Sequence, residues 1–270
     1  MLLRVILKNF LSFGDAVQFD MFPNPKRTSE KEHIYTSYAV PVLKSAAIYG
    51  SNGAGKSNLV KGISFIRRFA LDKDFLAGED FGIYPFALSG NSMELPVEIA
   101  LEFIAADGNG YIYSLAVNSK NVTEECLYKS RLGCGDNEPI FIRTATGVEF
   151  SSDITPDIHQ LLERLIERNP MSSFMALNRE FPVVSNESIS KAYEWLKMSL
   201  VVIGTDSTIP MLIELMRLDG KLMDFTDSMM KHLCLGISNL EIETEDADEW
   251  LSKHAAEIPP QALDNLKENG

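Results

Sequence analysis

Lys56 and Ser57 are the residues of this chain whose types and setting point most directly to chemistry. An ammonium beside a hydroxyl can hold a phosphate and a divalent cation. Here the pair closes the run Gly50-Ser51-Asn52-Gly53-Ala54-Gly55-Lys56-Ser57, which fits the phosphate-loop pattern G-x-x-x-x-G-K-[ST] at every fixed position. Gly50, Gly53 and Gly55 permit backbone conformations and close approaches that a Cβ forbids. The N–H groups of such a loop turn inward around an anion. A helix beginning near Lys56 adds unpaired N–H donors and the positive end of its dipole. Lys56 is expected to reach the β- and γ-phosphates of a nucleoside triphosphate, and Ser57 to ligate the Mg²⁺ that bridges them. Gly50 to Ser57, followed by Asn58, are the candidate nucleotide-binding residues. Ser57 is also the candidate metal ligand, and no residue is assigned a catalytic role.

Such a loop must be held between a strand and a helix. The apolar run Ser45-Ala46-Ala47-Ile48-Tyr49 predicts a short buried strand entering it. Leu59, Ile63, Ile66 and Ala70 recur at helical spacing and predict a helix over Asn58 to Phe69. Upstream, Leu3, Val5 and Leu7 alternate into a strand, Leu11 to Asp15 read as a turn, and Ala16 to Phe22 as the return strand of a hairpin. Pro23 to Thr36 is polar and turn-rich. Downstream, Val97, Ile99, Leu101 and Phe103 alternate up to the turn signal Asp107-Gly108-Asn109-Gly110, after which Tyr111, Tyr113, Leu115 and Val117 alternate again. With short strands at Asn121 to Tyr128 and Pro139 to Arg143, this predicts an antiparallel meander over Pro96 to Phe150. Helical spacing then takes over at Ile158 to Ile166, Ile189 to Leu200, Pro210 to Leu218 and Leu222 to Leu235, with short strands at Val201 to Ile203 and Asn239 to Thr244.

The remaining chemistry-bearing residues carry less. Asp107 to Gly110 fits D-x-x-G, a γ-phosphate-sensing pattern, but Asp-Gly and Asn-Gly are also what a hairpin turn demands, and no N-K-x-D motif accompanies it. Glu102 sits in an alternating strand and is expected to face solvent. Cys126, Cys134 and Cys234 read as reduced thiols, and His33, His159, His232 and His254 form no metal-ligand spacing. Trp195 borders an apolar stripe and is expected to pack in the core. The chain has 270 residues and a net charge of −13, a balance that argues against broad nucleic-acid binding. No apolar run reaches the length of a membrane span, and Met1 to Lys8 is too short and charged for a signal peptide, so a cytoplasmic location is expected.

Two segments together, Leu7-Lys8-Asn9-Phe10-Leu11-Ser12-Phe13 and Ala47 to Asn58, resemble the ATP-binding heads of SMC, RecF and OLD-like proteins within the ABC ATPases. Among these the chain is most similar to bacterial AAA-family ATP-binding proteins of abortive-infection and phage-defence systems. Glu124 and Leu127, Tyr193 to Leu196 and Leu235 to Ile242 extend the resemblance thinly along the chain. The resemblance implies an α/β P-loop NTPase of the ABC/SMC-like head type, with an antiparallel β-rich subdomain followed by a helical region. Residues 1–150 would form the ATP-binding lobe, and 151–270 a mostly helical part of an incomplete head. ATP and Mg²⁺ would be the cofactors, and a homodimer would sandwich the nucleotides. Asn9 and Phe10 would lie where the first strand nears the nucleotide. An effector protein would be a further partner, and DNA is a partner that the net charge does not favour.

The family's L-S-G-G-type signature, acidic Walker B strand and Mg²⁺-sensing glutamine are not found, so the chain matches the first half to two-thirds of such a protein. A non-catalytic nucleotide-binding scaffold for an effector is the alternative to an ATPase. A P-loop kinase or GTPase is disfavoured, because those folds continue with α/β alternation after the first helix.

Overall fold

Period-two alternation in the first eight residues seeds the sheet that supports the phosphate loop. The computed structural model describes residues 1–26, 31–76, 83–88, 90, 92–151, 155–204, 210–233, 236–246, 250 and 253. Strand β1 (Leu2–Lys8) alternates buried and half-buried residues and pairs with β2 (Val17–Asp20), forming the expected hairpin. On its other side β1 pairs with β5 (Val97–Ile104). The meander continues through β6 (Gly110–Val117), β7 (Val122–Ser130), β8 (Glu138–Thr144) and β9 (Val148–Phe150). The result is a seven-stranded sheet of order β2-β1-β5-β6-β7-β8-β9 with every pairing antiparallel. A separate two-stranded ribbon joins β3 (Ile34–Tyr35) to β4 (Val42–Leu43), inside and just beyond a stretch expected to be loop.

Helix α1 (Lys56–Leu71) begins two residues before the predicted start, so Lys56 and Ser57 form its first turn. Of its predicted stripe, Ile66 and Ala70 are fully buried while Leu59 and Ile63 pack on the core margin. Helices α2 (Pro156–Arg168), α3 (Phe174–Glu180) and α4 (Glu187–Glu194), the last continued by a π-helical turn at Trp195–Ser199, complete this cover. Trp195 is buried and stacks on Phe103 at 4.0 Å between ring centroids, 9° from parallel, as its place on the apolar stripe predicts.

The chain divides into two compact units, Met1–Val202 and Ile203–Gly270. The second contains α5 (Pro210–Leu218) and α6 (Gly220–His232), both at predicted positions. Asp219 caps α6, its carboxylate accepting from the N–H groups of Lys221 and Leu222.

Several expectations are corrected. Ser45 to Tyr49 is exposed and in no strand, with Tyr49 91% accessible, because no described strand lies alongside to complete a ladder. Asn239 to Thr244 forms no strand for the same reason. Its Leu240 N–H donates to the Asp227 carboxylate at 3.0 Å. Val201 to Ile203 is likewise irregular. Glu102 is buried instead of solvent-facing, accepting from the Ser130 hydroxyl at 2.5 Å, with Arg4 at 3.4 Å. Cys234 and His254 lie outside the described residues.

Candidate nucleotide site

The loop after Tyr49 is shaped by its glycines. Gly53 has φ 83° and Gly55 φ 91°, left-handed values that are strained for residues with a Cβ. Gly55 is the N-cap of α1 and brings no capping side chain. Among the described residues, the N–H groups of Gly53, Gly55, Lys56 and Ser57 donate to no protein group. Asn58 and Leu59 turn their N–H groups back onto the Gly55 carbonyl, at 2.9 and 3.1 Å, and so close the first turn. Alternating left-handed glycines beside an uncapped helix start make a concave row of donors suited to an anion.

Lys56 spans this concavity. Its ammonium donates to the carbonyls of Gly50, at 2.7 Å, and Ser51, at 2.8 Å. An ammonium has three protons, so one remains for a further acceptor. The Ser51 carbonyl also accepts the Ala54 N–H at 3.2 Å, which tightens the tip. Asn52 and Gly53 are exposed at that tip, and the Ser57 hydroxyl is exposed with no partner among the described residues. Asn58 is different. Its side-chain amide donates to the Ser12 hydroxyl at 2.9 Å, so it faces the neighbouring turn.

That turn carries Ser12 and Phe13, whose place against the loop the motif itself does not give. Phe10 and Phe13 form an isolated antiparallel bridge around Leu11 and Ser12. A Cβ on Gly55 would stand 2.7 Å from the Ser12 hydroxyl oxygen and 3.3 Å from the Phe13 ring, so both residues lie against the loop. Two non-glycine residues here are left-handed, Asn9 at φ 51° and Leu11 at φ 52°. Asn9 and Phe10, which the resemblance places where the first strand nears the nucleotide, both turn their side chains into the protein. Asn9 is buried, its amide donating to the carbonyls of Ser92, Leu95 and Pro96 and its oxygen accepting from the Phe86 N–H. Phe10 is buried against Phe65 of α1. The legible signal was the pairing of Asn9 with a turn that needs left-handed backbone, a conformation asparagine tolerates better than most residues.

The other candidate residues resolve into structural roles. The Asp107 carboxylate accepts from the Asn109 backbone and side chain and from the Tyr111 hydroxyl at 2.8 Å, as a hairpin turn requires, so the D-x-x-G match is a turn. Among the described residues no group of three or more His, Cys, Asp or Glu could hold a metal. Arg67 donates from its guanidinium to the carbonyls of Leu196 and Lys197. Cys126 is buried, and burial pushes its thiol up to about 12.

An α/β fold in which a G-x-x-x-x-G-K-[ST] loop opens onto an uncapped helix belongs to the P-loop NTPases. The chain belongs to the family described as "AAA domain, putative AbiEii toxin, Type IV TA system", whose model matches residues 45–207, more than half of its length. The match starts at the entry to the phosphate loop and runs through α1, the sheet from β5 onward and α2 to α4. It makes the chain an AAA-family ATPase of the abortive-infection type. No curated protein matches the chain. Among the described residues no helix is long and apolar enough to cross a membrane.

Proposed function

We propose that Gly50 to Ser57 bind ATP with Mg²⁺, and that the chain is the nucleotide-binding part of an ATPase acting in abortive infection or phage defence. The observation that carries this reading is the Lys56 ammonium, held across the loop by two carbonyls with one proton to spare, above a row of unspent N–H groups. Anionic ligands gain from such a site because its donors are already oriented and need no reorganisation on binding. In this reading Lys56 neutralises charge between the β- and γ-phosphates, and the N–H groups of Gly53, Gly55, Lys56 and Ser57 hold phosphate oxygens. The Ser57 hydroxyl orients the metal. Bound Mg²⁺ would supply charge neutralisation across the same two phosphates.

The family description places its members in type IV toxin–antitoxin systems. An antitoxin or effector protein is therefore a fitting partner, and a homodimer through the ATP sites a fitting assembly. DNA remains less suited to a chain of net charge −13. Titration with a fluorescent ATP analogue, with and without Mg²⁺, tests the reading. Wild-type protein should bind and Lys56→Ala should not, and equal affinity in the two would overturn it.

A second reading, a scaffold that uses ATP to order an interface without turnover, is favoured by the exposed segment Ala46 to Tyr49 beside the loop. Among the described residues its backbone makes no hydrogen bond, so it could pair with a strand of another polypeptide. Steady-state ATP hydrolysis by the purified chain, lost in Lys56→Ala, would decide against it.

A further inference from the structure

A phosphate-binding helix start has an inherent difficulty. The Ser, Thr or Asp that caps most helices would spend the N–H groups that the phosphate needs. The first turn of α1 must therefore be fixed from outside. We infer that Ser12, carried by the strained Asn9–Gly14 turn, is the residue that does this, so that it is a positioning residue for nucleotide binding. The inference rests on the nucleotide-binding reading above. It concerns a segment outside residues 45–207, the part covered by the family match.

Three observations converge on it. The Ser12 hydroxyl accepts from the side-chain amide of Asn58, at the third position of α1, across 46 residues of sequence. The same oxygen and the Phe13 ring fill the space in which a Gly55 Cβ would stand, so the turn presses on the N-cap itself. The turn is held rigidly enough to serve as an anchor. Asn9 makes four hydrogen bonds to the backbone of Phe86, Ser92, Leu95 and Pro96, and the Leu11 N–H donates to the Tyr84 carbonyl at 2.9 Å. Left-handed Asn9 and Leu11 persist where surrounding bonds over-determine them, and such strain gathers at ligand sites. Asn58 thus acts through Ser12: its amide steadies the turn of helix that bears Lys56 and Ser57.

The test is a double-mutant cycle read by Mg·ATP-analogue affinity and by nucleotide-free thermal unfolding. Ser12→Ala and Asn58→Ala should each weaken binding about fivefold, the equivalent of one hydrogen bond. The double variant should be no weaker than either single one, since both remove the same bond. Ser12→Thr, which keeps the hydroxyl, should bind as wild type. Ser12 is exposed, so all variants should unfold within about a degree of wild type. A purely structural role would lower the unfolding temperature and leave the affinity of the folded protein unchanged, overturning the inference. Additive losses would also overturn it, because Asn58 would then contact the nucleotide independently. Lys56→Ala, run alongside, separates the two claims. If it binds like wild type, the nucleotide-binding reading fails. If it does not bind while Ser12→Ala equals wild type, only the role of Ser12 fails.

Discussion

Two helix starts in this molecule face the same problem and solve it in opposite ways. At α3 the N–H groups of Phe174 and Met175 donate to the Glu125 carboxylate at 2.7 and 3.2 Å. That carboxylate also accepts from the hydroxyls of Tyr113 and Ser173, each at 2.9 Å. Ser173 caps the helix as well, accepting from the Ala176 N–H. Glu125, Tyr113 and Ser173 are all inaccessible to solvent, and Arg143 stands directly across the strands from Glu125. At α1 the cap is a glycine, and among the described residues the corresponding N–H groups donate to no protein group and no protein anion approaches. Both ends offer donors and a positive dipole. The protein supplies its own anion to one and leaves the other for a ligand. A helix start that is satisfied internally contributes to the fold, and one that is left open is available for function.

The comparison breaks most severely at Glu125. Glu125→Ala should destabilise the first unit by about 3–5 kcal/mol, because buried donors lose their acceptor and Arg143 loses the buried carboxylate opposite it. Chemical denaturation measures this, and a loss below about 1 kcal/mol would show that the carboxylate is dispensable. The mirror experiment is Lys56→Ala, which should leave the apparent stability of nucleotide-free protein unchanged. It should abolish the stabilisation that ATP gives wild type, about 2.7 kcal/mol at a hundredfold excess over Kd. The two residues would then separate cleanly, one acting on the fold and the other on the ligand.

How legible this contrast is in the sequence depends on period and local chemistry. The phosphate loop is legible because each fixed residue has a job that no other type performs. The hairpin strands are legible because one face is buried, so Leu3, Val5 and Leu7 alternate with half-buried neighbours. Helix α3 escapes notice because Phe174 to Asn178 are all buried, which erases the apolar–polar period that marks an amphipathic helix. Glu125 is hidden for a related reason. It sits beside Glu124 in a strand, and nothing in the sequence tells which of the two acids points into the core toward a helix 48 residues away. Ser45 to Tyr49 errs in the opposite direction, since small apolar residues read as a buried strand whether or not a partner strand is present. Ser12 lies within the Leu7 to Phe13 segment that carries the family resemblance, but its contact with Asn58 is tertiary and follows only from the turn geometry.

The glycine cap itself is a finer test. Gly55→Ala combines a left-handed φ, worth about 1–2 kcal/mol, with a Cβ 2.7 Å from the Ser12 hydroxyl oxygen. Gly53→Ala has similar strain, but its Cβ meets nothing within 4 Å. Thermal unfolding and nucleotide titration should therefore show a larger loss for Gly55→Ala in both readouts. Equal losses would mean that conformation alone, and not the pressure of the Ser12 turn, sets the shape of the loop.

The smallest expected effect separates two serines, one at each of these helix starts. The Ser173 hydroxyl is spent on Glu125 and on the Ala176 N–H, so Ser173→Ala should cost fold stability of about 1 kcal/mol or more. The Ser57 hydroxyl is exposed and spent on nothing among the described residues, so Ser57→Ala should leave stability within about 0.5 kcal/mol of wild type. Its effect should appear as lost metal dependence. Wild-type affinity for ATP should rise when Mg²⁺ is added, whereas the affinity of Ser57→Ala should stay near the metal-free value, which the substitution itself should not change. An equal fall with and without Mg²⁺ would place the Ser57 hydroxyl on the phosphates and leave metal binding to some other group. The open helix start would then be an anion site alone, still distinct from α3 in having no internal carboxylate, but without a metal ligand in its first turn.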